Sequence, residues 1–522
     1  MERAASMPYR TLFIRTLFDF VPSSKKLLVG VFAFLILFPQ PTFAALSLLE
    51  AVRSALDHAP GILLQRESLL ISESDVLGAR SAFDPQVSLS FGYRKDALAL
   101  GDLKTATTAL SATTLTPFGL TVTPQVSVIG STPSDTRSSS VASAGVTFIL
   151  PLLEGLGDNI SRTALSASKK MYKAESLTLQ HTAGRTVYQA ADAYWNYLYA
   201  YRMLKLDQQL SQSALESYNA TKALAGVGEV AMVRSDQAEA YLQQAQASEI
   251  TAVQELGQSW NALLLSMGSD TVGRESPEEP VDSFPVPDGD ILLLLADGGA
   301  LKAKAFASRA DLQALKLQGD AASDILRGSR NRMKPKVDLE LWAGYNGLHE
   351  GATFSDNFSS LSTGIPGVNI SATVRYSLDA GNHRDEAAYI HSRSQVEIAA
   401  INRQELERSI ESMVVLAVAS VKNSAAIYRL SIESARTYRL LNTAELKKYR
   451  MGMSDLFKVQ SVSTDLASAE KQLLAAQKAY ASSLLALRYD VASLFRVNDG
   501  NFTVEMDDLV TIPAFDNALH KP

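Results

Sequence analysis

Six histidines, at 58, 181, 349, 383, 391 and 520, are spread through the 522-residue chain with no HExxH or other ligand spacing among them. Imidazoles scattered in this way serve packing or the surface. The chain has no cysteine, which removes disulfides, thiolate metal ligands and a lipidated N-terminal cysteine. Gly155-Leu156-Gly157 lacks the third glycine and the continuing sheet of a dinucleotide site, and no Walker A sequence is present. No nucleophile stands with a base in a catalytic constellation. These residue types name no catalytic residue, no metal site and no cofactor, so the chain does not read as an enzyme. The ionisable residues that remain fall into two groups. Asp338, Glu340 and Arg375 occupy polar positions in stretches of alternating apolar and polar residues, and Arg234, Asp236, Asp455 and Lys458 follow Gly228 and Gly452 closely. What either group can do depends on the elements that carry it.

Between Val368 and Ser377 the apolar residues Val368, Ile370, Ala372, Val374 and Tyr376 alternate with polar ones, the period of a strand with one greasy and one wet face. Asp379-Ala380-Gly381-Asn382 breaks the pattern. Val414, Ala417, Val421, Ala425, Tyr428, Ile432 and Ala435 then recur at steps of three and four, the seam of a helix packed lengthwise on others. No proline interrupts 383–450, which at 1.5 Å per residue reaches roughly 100 Å. A two-faced strand feeding such a helix predicts a barrel wall continued as a helical tube.

The rest of the chain repeats this change of period. A helix over 46–82, interrupted at Ala59-Pro60, precedes a strand at about 87–94. A strand at about 141–150 precedes long helices over 158–224 and 235–267. After a Pro-rich, acidic linker (268–304) the scheme begins again, with strands at about 337–346 and 367–378 and long helices over 383–450 and 455–496. The spacing is duplicated too. Pro60 precedes Pro85 by the same interval as Ala310 precedes Pro335, and the interval from Pro151 to Gly228 is nearly that from Ser377 to Gly452. Only the interval between the strands differs: Pro85 to Pro151 is longer than Pro335 to Ser377, and the surplus falls on about 105–128. Two repeats, 45–267 and 305–497, are thus expected, with a C-terminal tail at 498–522. Four strands cannot close a useful barrel, and an unpaired edge cannot stay in lipid, so the chain must oligomerise. In such a wall Asp338, Glu340 and Arg375 would line a water-filled lumen while Val, Leu, Ile and Tyr face lipid.

The N-terminus agrees with export. Lys25 and Lys26, the apolar run 27–38, Pro39-Gln40-Pro41 and the small residues at Ala44-Ala45 predict a signal peptide over 1–44, with Met7 an alternative initiator. Its removal takes away five basic and two acidic residues, leaving 44 Lys and Arg against 53 Asp and Glu, a net charge of −9. An exported, mildly acidic chain is a poor nucleic-acid binder.

The ordered motifs resemble those of the TolC-like outer-membrane efflux protein family. They are Leu48-Leu49-Glu50-Ala51-Val52 with Ala55-Leu56 and Pro60, and Arg309 with Asp311-Leu312. The strand-to-helix joints are Pro151-Leu152-Leu153-Glu154-Gly155 and Ser377-Leu378-Asp379-Ala380-Gly381. The glycine turns are Val227-Gly228 and Tyr449-Arg450-Met451-Gly452. The resemblance implies a mainly α fold with a membrane β-barrel: a homotrimer with four strands per chain in a shared twelve-stranded barrel, continued as a periplasmic α-helical barrel in the outer membrane of a Gram-negative bacterium. It also implies a periplasmic adaptor and an inner-membrane efflux pump or secretion ATPase as partners, with the glycine turns as docking tips.

The sequence departs from the family in two places. The family's paired gate aspartates lie six and nine residues past the second tip glycine, where this chain has Lys458 and Ser461; at the first tip the sixth position is Arg234, followed by Asp236. With Tyr449, Gly228, Gly452 and Asp455 these residues are the tip and gate candidates. Arg234, Asp236, Asp455 and Lys458 form either a closing network that a partner releases or solvated surface charges contributing about 0 to 1 kcal/mol. The surplus at 105–128 is either a hairpin outside the membrane or two further barrel strands. The competing class is a trimeric coiled-coil surface or periplasmic protein that transports nothing. The aromatic run Tyr194 to Tyr201 is about 65 Å along the helix from the strand and is expected to pack in the middle of the tunnel.

Overall fold

A capping box starts the first described helix: Ser47 Oγ accepts the Glu50 N–H at 3.3 Å, and the Glu50 carboxylate accepts the Ser47 N–H at 3.0 Å. The computed structural model describes residues 46–98, 101–134, 137–270, 276–287, 298–360, 362, 368–498 and 501–513. The expected signal peptide, His520 and parts of the expected linker and tail lie outside the described residues.

Helix α1 (Leu48–His58) passes through an extended Ala59 into α2 (Pro60–Arg80), where Pro60 occupies the first helical turn, a position that needs no N–H. The second half opens in the same way: α6 (Gly298–Ser308) passes through an extended Arg309 into α7 (Ala310–Arg332). Each pair leads to strands. In the first half these are β1 (Gln86–Leu98), β2 (Gly101–Leu115), β3 (Thr121–Pro133) and β4 (Ser139–Pro151), followed by a short α3 (Asp158–Ser161), α4 (Thr163–Gly226) and α5 (Met232–Ser266). In the second they are β5 (Lys336–Glu350) and β6 (Val368–Ser377), joined past α8 (Phe354–Ser359), then α9 (His383–Arg450) and α10 (Leu456–Asp490). Helices α4 and α9 have 64 and 68 residues, and α5 and α10 have 35 each, so the duplicated spacing is a duplicated hairpin.

The six strands form one antiparallel sheet in chain order, with β4 of the first half laddered to β5 of the second from Ser139↔Glu350 to Pro151↔Asp338. The expected four strands per chain are therefore corrected to six. The surplus at 105–128 belongs to β2 and β3, which are laddered to β1 on one side and β4 on the other. The register runs straight across. Leu89, Leu110, Val126, Ala144, Tyr345 and Val368 form one row, and Ser88, Ser111, Gln125, Gly145, Gly344 and Asn369 form a row on the opposite face. Hydroxyls on that face bond across strands, Ser88 to Ser111 and Ser127 to Ser143, each at 2.8 Å.

Helix boundaries also move: α6 begins at Gly298, inside the expected linker (268–304), because Leu301 and Ala305 are buried on one of its faces. The expected helix over 455–496 ends at Asp490, because Ala492 is left-handed (φ 54°) and the Ser493 N–H turns back to the Arg488 carbonyl at 2.8 Å. Buried Val491 and Leu494 continue the apolar spacing past that end, and Arg496–Asn498 pairs as β7 with Asn501–Thr503 as β8. The short α11 (Asp507–Val510) follows.

Two cores repeat as well. Leu48 and Val52 of α1 pack with Tyr194, Trp195 and Tyr197 of α4 and Trp260 of α5, while Leu301 and Ala305 of α6 pack with Val414, Val421 and Tyr428 of α9 and Tyr480 of α10. The aromatic run is therefore helix packing, and it also holds the described part of the linker. Tyr194 Oη donates to Asp282 Oδ2 at 2.8 Å, the Leu48 N–H donates to the same oxygen at 2.6 Å, and Lys205 pairs with Glu279 at 2.9 Å. Residues 276–287 are a strap across α4.

Candidate functional site: the helix tips and the strand–helix junction

Gly228 and Gly452 end α4 and α9 with the same hydrogen bonds. The Gly228 N–H reaches the Ala225 carbonyl at 3.1 Å and the Glu229 N–H reaches Leu224 at 3.0 Å; the Gly452 N–H reaches Tyr449 at 2.9 Å and the Met453 N–H reaches Lys448 at 2.9 Å. Both glycines have positive φ, 81° and 72°, and no neighbour crowds either position, so glycine is required by backbone conformation alone. The paired hairpins lie side by side: Lys471 of α10 meets Asp207 of α4 at 2.5 Å, Ser482 donates to Asp192 at 2.7 Å, and Gln460 reaches Ser217 at 3.5 Å near the tips.

The charged tip candidates do not form a network within one chain. Asp455 caps α10, its carboxylate accepting the Lys458 N–H at 2.8 Å. Arg234, Asp236, Lys458 and Ser461 are exposed, and among the described residues no ion pair joins Arg234, Asp236, Asp455 or Lys458 to another side chain. The first tip has no side-chain cap, because Ala231 stands at that position. Tyr449 is half-buried and supplies only its carbonyl.

The carboxylate that is buried at the second tip is Glu445, which was not among the sequence candidates. It accepts from the Ser454 hydroxyl and pairs with Lys448 at 3.3 Å, contacts that hold it below the usual carboxylate range. The signal was present: Ala435, Tyr438, Asn442 and Glu445 continue the steps of three and four beyond the apolar seam. Asn442 is likewise paired, accepting from Ser463 at 2.9 Å. Around these polar residues the tips expose Val227, Met232, Val233, Met451, Met453 and Phe457, each more than half accessible.

At the other end of the long helices, Asp338, Glu340 and Arg375 are brought together on the polar face of the sheet. Arg375 pairs with Glu340 at 3.2 Å, and Lys336 lies 3.8 Å from Asp338. They line a cavity of about 480 Å³ with Glu154 and Arg332 where the sheet meets the helices. Burial raises the Glu154 carboxyl, partly offset by Lys336. The joint is held by the Gly155 N–H donating to Asn331 Oδ1 at 2.7 Å.

A second ionisable cluster lies where the two halves meet. Arg309, buried, holds Asp311 through two nitrogens at 2.7 and 3.1 Å, with His181 3.7 Å from the same carboxylate. Burial lowers the His181 pKa and pushes Asp490 up to about 6. Among the described residues no group of three or more histidines and carboxylates is placed to hold a metal ion.

Residues 51–269 match the outer membrane efflux protein family. The match covers the first repeat; the second repeats its joints and its tip. No curated protein gives a significant match to the sequence. Among solved structures, the outer membrane protein VceC from Vibrio cholerae aligns with TM-score 0.63 and 16% identity over 85% of this chain and 95% of that one. The Campylobacter jejuni CmeC outer membrane channel aligns with TM-score 0.61 and 15% identity over 88% and 87%. The open state of the Neisseria gonorrhoeae MtrE outer membrane channel aligns with 0.60 and 16% over 85% and 88%. The chain therefore has the fold of these TolC-like outer membrane channels.

Proposed function

We propose that the protein is an outer-membrane exit channel, acting as a homotrimer that conducts substrates passively from a periplasmic adaptor and an inner-membrane efflux pump or secretion ATPase to the exterior. It performs no chemistry on what it carries. The observation that carries this reading is the sheet. Leu89, Leu110, Val126, Ala144, Tyr345 and Val368 make one row apolar across all six strands, Val122, Phe148, Leu341 and Ala372 make another across four, the opposite face is hydroxyl-rich, and among the described residues both outer edges are unpaired. A sheet of that kind is stable in lipid only when closed, with water on the hydroxyl side. Asp338, Glu340 and Arg375 then stand in the lumen at its junction with the helical barrel.

The helices support the same reading. Leu64, Ile71, Val415, Leu416, Ile427 and Leu430 are exposed along α2 and α9, an apolar surface that neighbouring copies would cover. Exposed Val227, Met232, Met453 and Phe457 suit docking of an adaptor at the tips, and movement of α5 and α10 there would gate the channel. Gly228 and Gly452 set the turns, while Arg234, Asp236, Tyr449, Asp455, Lys458 and Ser461 present the surface on which a partner acts. Without the family's aspartate pair, cation selectivity at the entrance is not expected.

Planar-bilayer conductance, with the oligomeric mass measured in parallel, tests this. Trimers with discrete conductance steps are expected. A water-soluble protein that conducts in no form would refute the channel and leave a coiled-coil structural protein.

A further inference from the structure

We infer that the barrel is closed by eighteen strands, six from each of three copies, with the inserted hairpin β2–β3 in the lipid-facing wall and the next copy of this chain as the partner of each free edge. This rests on the trimeric channel reading above and departs from the twelve strands that the family resemblance implies.

Three observations carry the inference. Both ladders that join the hairpin to its neighbours are continuous: β2 pairs with β1 over Gln86↔Thr113 to Leu98↔Gly101, and β3 pairs with β4 over Thr121↔Ile149 to Ser131↔Ser139. Removing the hairpin from the wall would break both ladders and strand their N–H and C=O groups, which lipid does not tolerate. The apolar rows also pass through the insertion without a change of face, Leu110 and Val126 standing between Leu89 and Ala144. Finally, the two free edges suit one another. Strand β1 runs away from the helices and β6 runs back toward them, so β6 of one copy meets β1 of the next antiparallel. All ten residues of β6 are exposed, as are Val87, Leu89, Phe91 and Tyr93 of β1.

The insertion raises a mismatch that the structure resolves. Each chain brings six strands over four helices, because α2, α4, α7 and α9 continue β1, β4, β5 and β6, whereas no helix lies beneath β2 or β3. The turn between β2 and β3 rests instead on the neighbouring joint. The Gly157 N–H donates to the Phe118 carbonyl at 3.2 Å, and the Ser161 hydroxyl donates to the Pro117 carbonyl. The approach is so close that a Cβ on Gly119 would stand 2.4 Å from the Gly155 carbonyl oxygen. The added strands are thus carried by a built seat at the level where sheet becomes helix. Barrel diameter grows roughly in proportion to strand number, so this barrel would be about half as wide again as a twelve-stranded one. Its hydroxyl-lined bore would then not be the narrowest point of the path, and the limit on cargo size would lie in the helical barrel and its tips.

The chain's lack of cysteine makes the test direct. Single cysteines at Leu89, Leu110, Val126 and Ser111 are labelled with a nitrobenzoxadiazole fluorophore in reconstituted trimers and challenged with nitroxide lipids. Strong quenching at Leu89, Leu110 and Val126, and little at Ser111, is the expected result. Quenching at Leu89 but not at Leu110 or Val126 would overturn the eighteen-stranded wall and leave the channel standing; no quenching at Leu89 would remove the channel reading itself. A variant lacking residues 101–134, which joins β1 to β4, should have a barrel about two thirds as wide as the wild type's, read as ring diameter in electron-microscope projections down the threefold axis. A barrel diameter unchanged by the deletion would overturn the wider wall, and a mass other than a trimer would overturn the strand count.

Discussion

The asymmetry between the tips gives a prediction with a magnitude. The second tip has a helix cap where the first has none: Asp455 accepts the Lys458 N–H at 2.8 Å, whereas Ala231 accepts nothing through its side chain. Replacing an N-cap aspartate by alanine costs about 1 kcal/mol of helix stability, because one of the unpaired N–H groups of the first turn loses its partner. If the closed tip requires that turn to be formed, Asp455→Ala shifts the closed-to-open balance by about fivefold per tip. The expected readout is a higher open probability in planar bilayers at unchanged single-channel conductance.

Two companions separate the cap from the charge. Asparagine caps as well as aspartate, so Asp455→Asn removes the charge and keeps the hydrogen bond, and it should behave as the wild type. Ala231→Asp supplies the missing cap at a residue already in the extended conformation (φ −66°, ψ 141°) and should lower the open probability. If Asp455→Asn opens the channel as much as Asp455→Ala, the charge acts and the capping argument fails. If neither Asp455 variant alters conduction, the order of this turn is not coupled to the gate.

Other consequences can be measured on the detergent-solubilised protein. Asp490 has its folded pKa raised from 3.8 to about 6 by burial, with Arg309 only partly offsetting the effect. A raised acid is at no disadvantage below pH 4 and costs stability as the pH passes 6; the shift corresponds to about 3 kcal/mol, or roughly 2 after discounting for the exposed part of the group. Asp490→Asn should therefore raise the melting temperature at pH 7.5 and leave it unchanged at pH 4, and a fall at pH 7.5 would contradict the sign. Ala492 has φ 54° at a helix end built like the one at Gly268 (φ 68°), so Ala492→Gly should add about 1 kcal/mol of stability, read as a higher denaturation midpoint. Tyr194→Phe removes the hydroxyl shared between Asp282 and the Leu46 carbonyl, at a cost of about 1 to 3 kcal/mol. Limited proteolysis within 276–287 should then quicken, and an unchanged cleavage rate would mean that the strap is held elsewhere.

Much of the fold was legible because the two repeats act as rulers for one another. The change of hydrophobic period located the joints, and the span predicted for α9 is the one observed, since no proline or glycine interrupts it. The tip glycines were legible because left-handed backbone favours glycine so strongly. At Ala492 the same conformation is taken by alanine, and there the helix end was missed by six residues. The charged tip residues were legible as charges and not as contacts: distance along the chain does not say that Asp455 turns onto its own helix while Glu445, ten residues earlier, is the carboxylate that the tip buries.

The insertion shows where local pattern stops. Measuring one repeat against the other located the surplus, and the alternation of Val122, Val126 and Val128 suggested β3. Strand β2 carries almost no alternation, because Ala and Thr suit either face of a sheet; the residues that identify it are those opposite, Phe91 with Thr108 and Leu89 with Leu110. Whether such a segment is wall or ornament is decided by hydrogen bonds on both of its edges, and these are formed with residues before and after it in the chain. A sequence with an even number of inserted strands returns to the same side of the membrane and leaves every later joint in register. The duplicated spacing downstream is therefore the same for an external hairpin and for a wider barrel, and only the two ladders distinguish them.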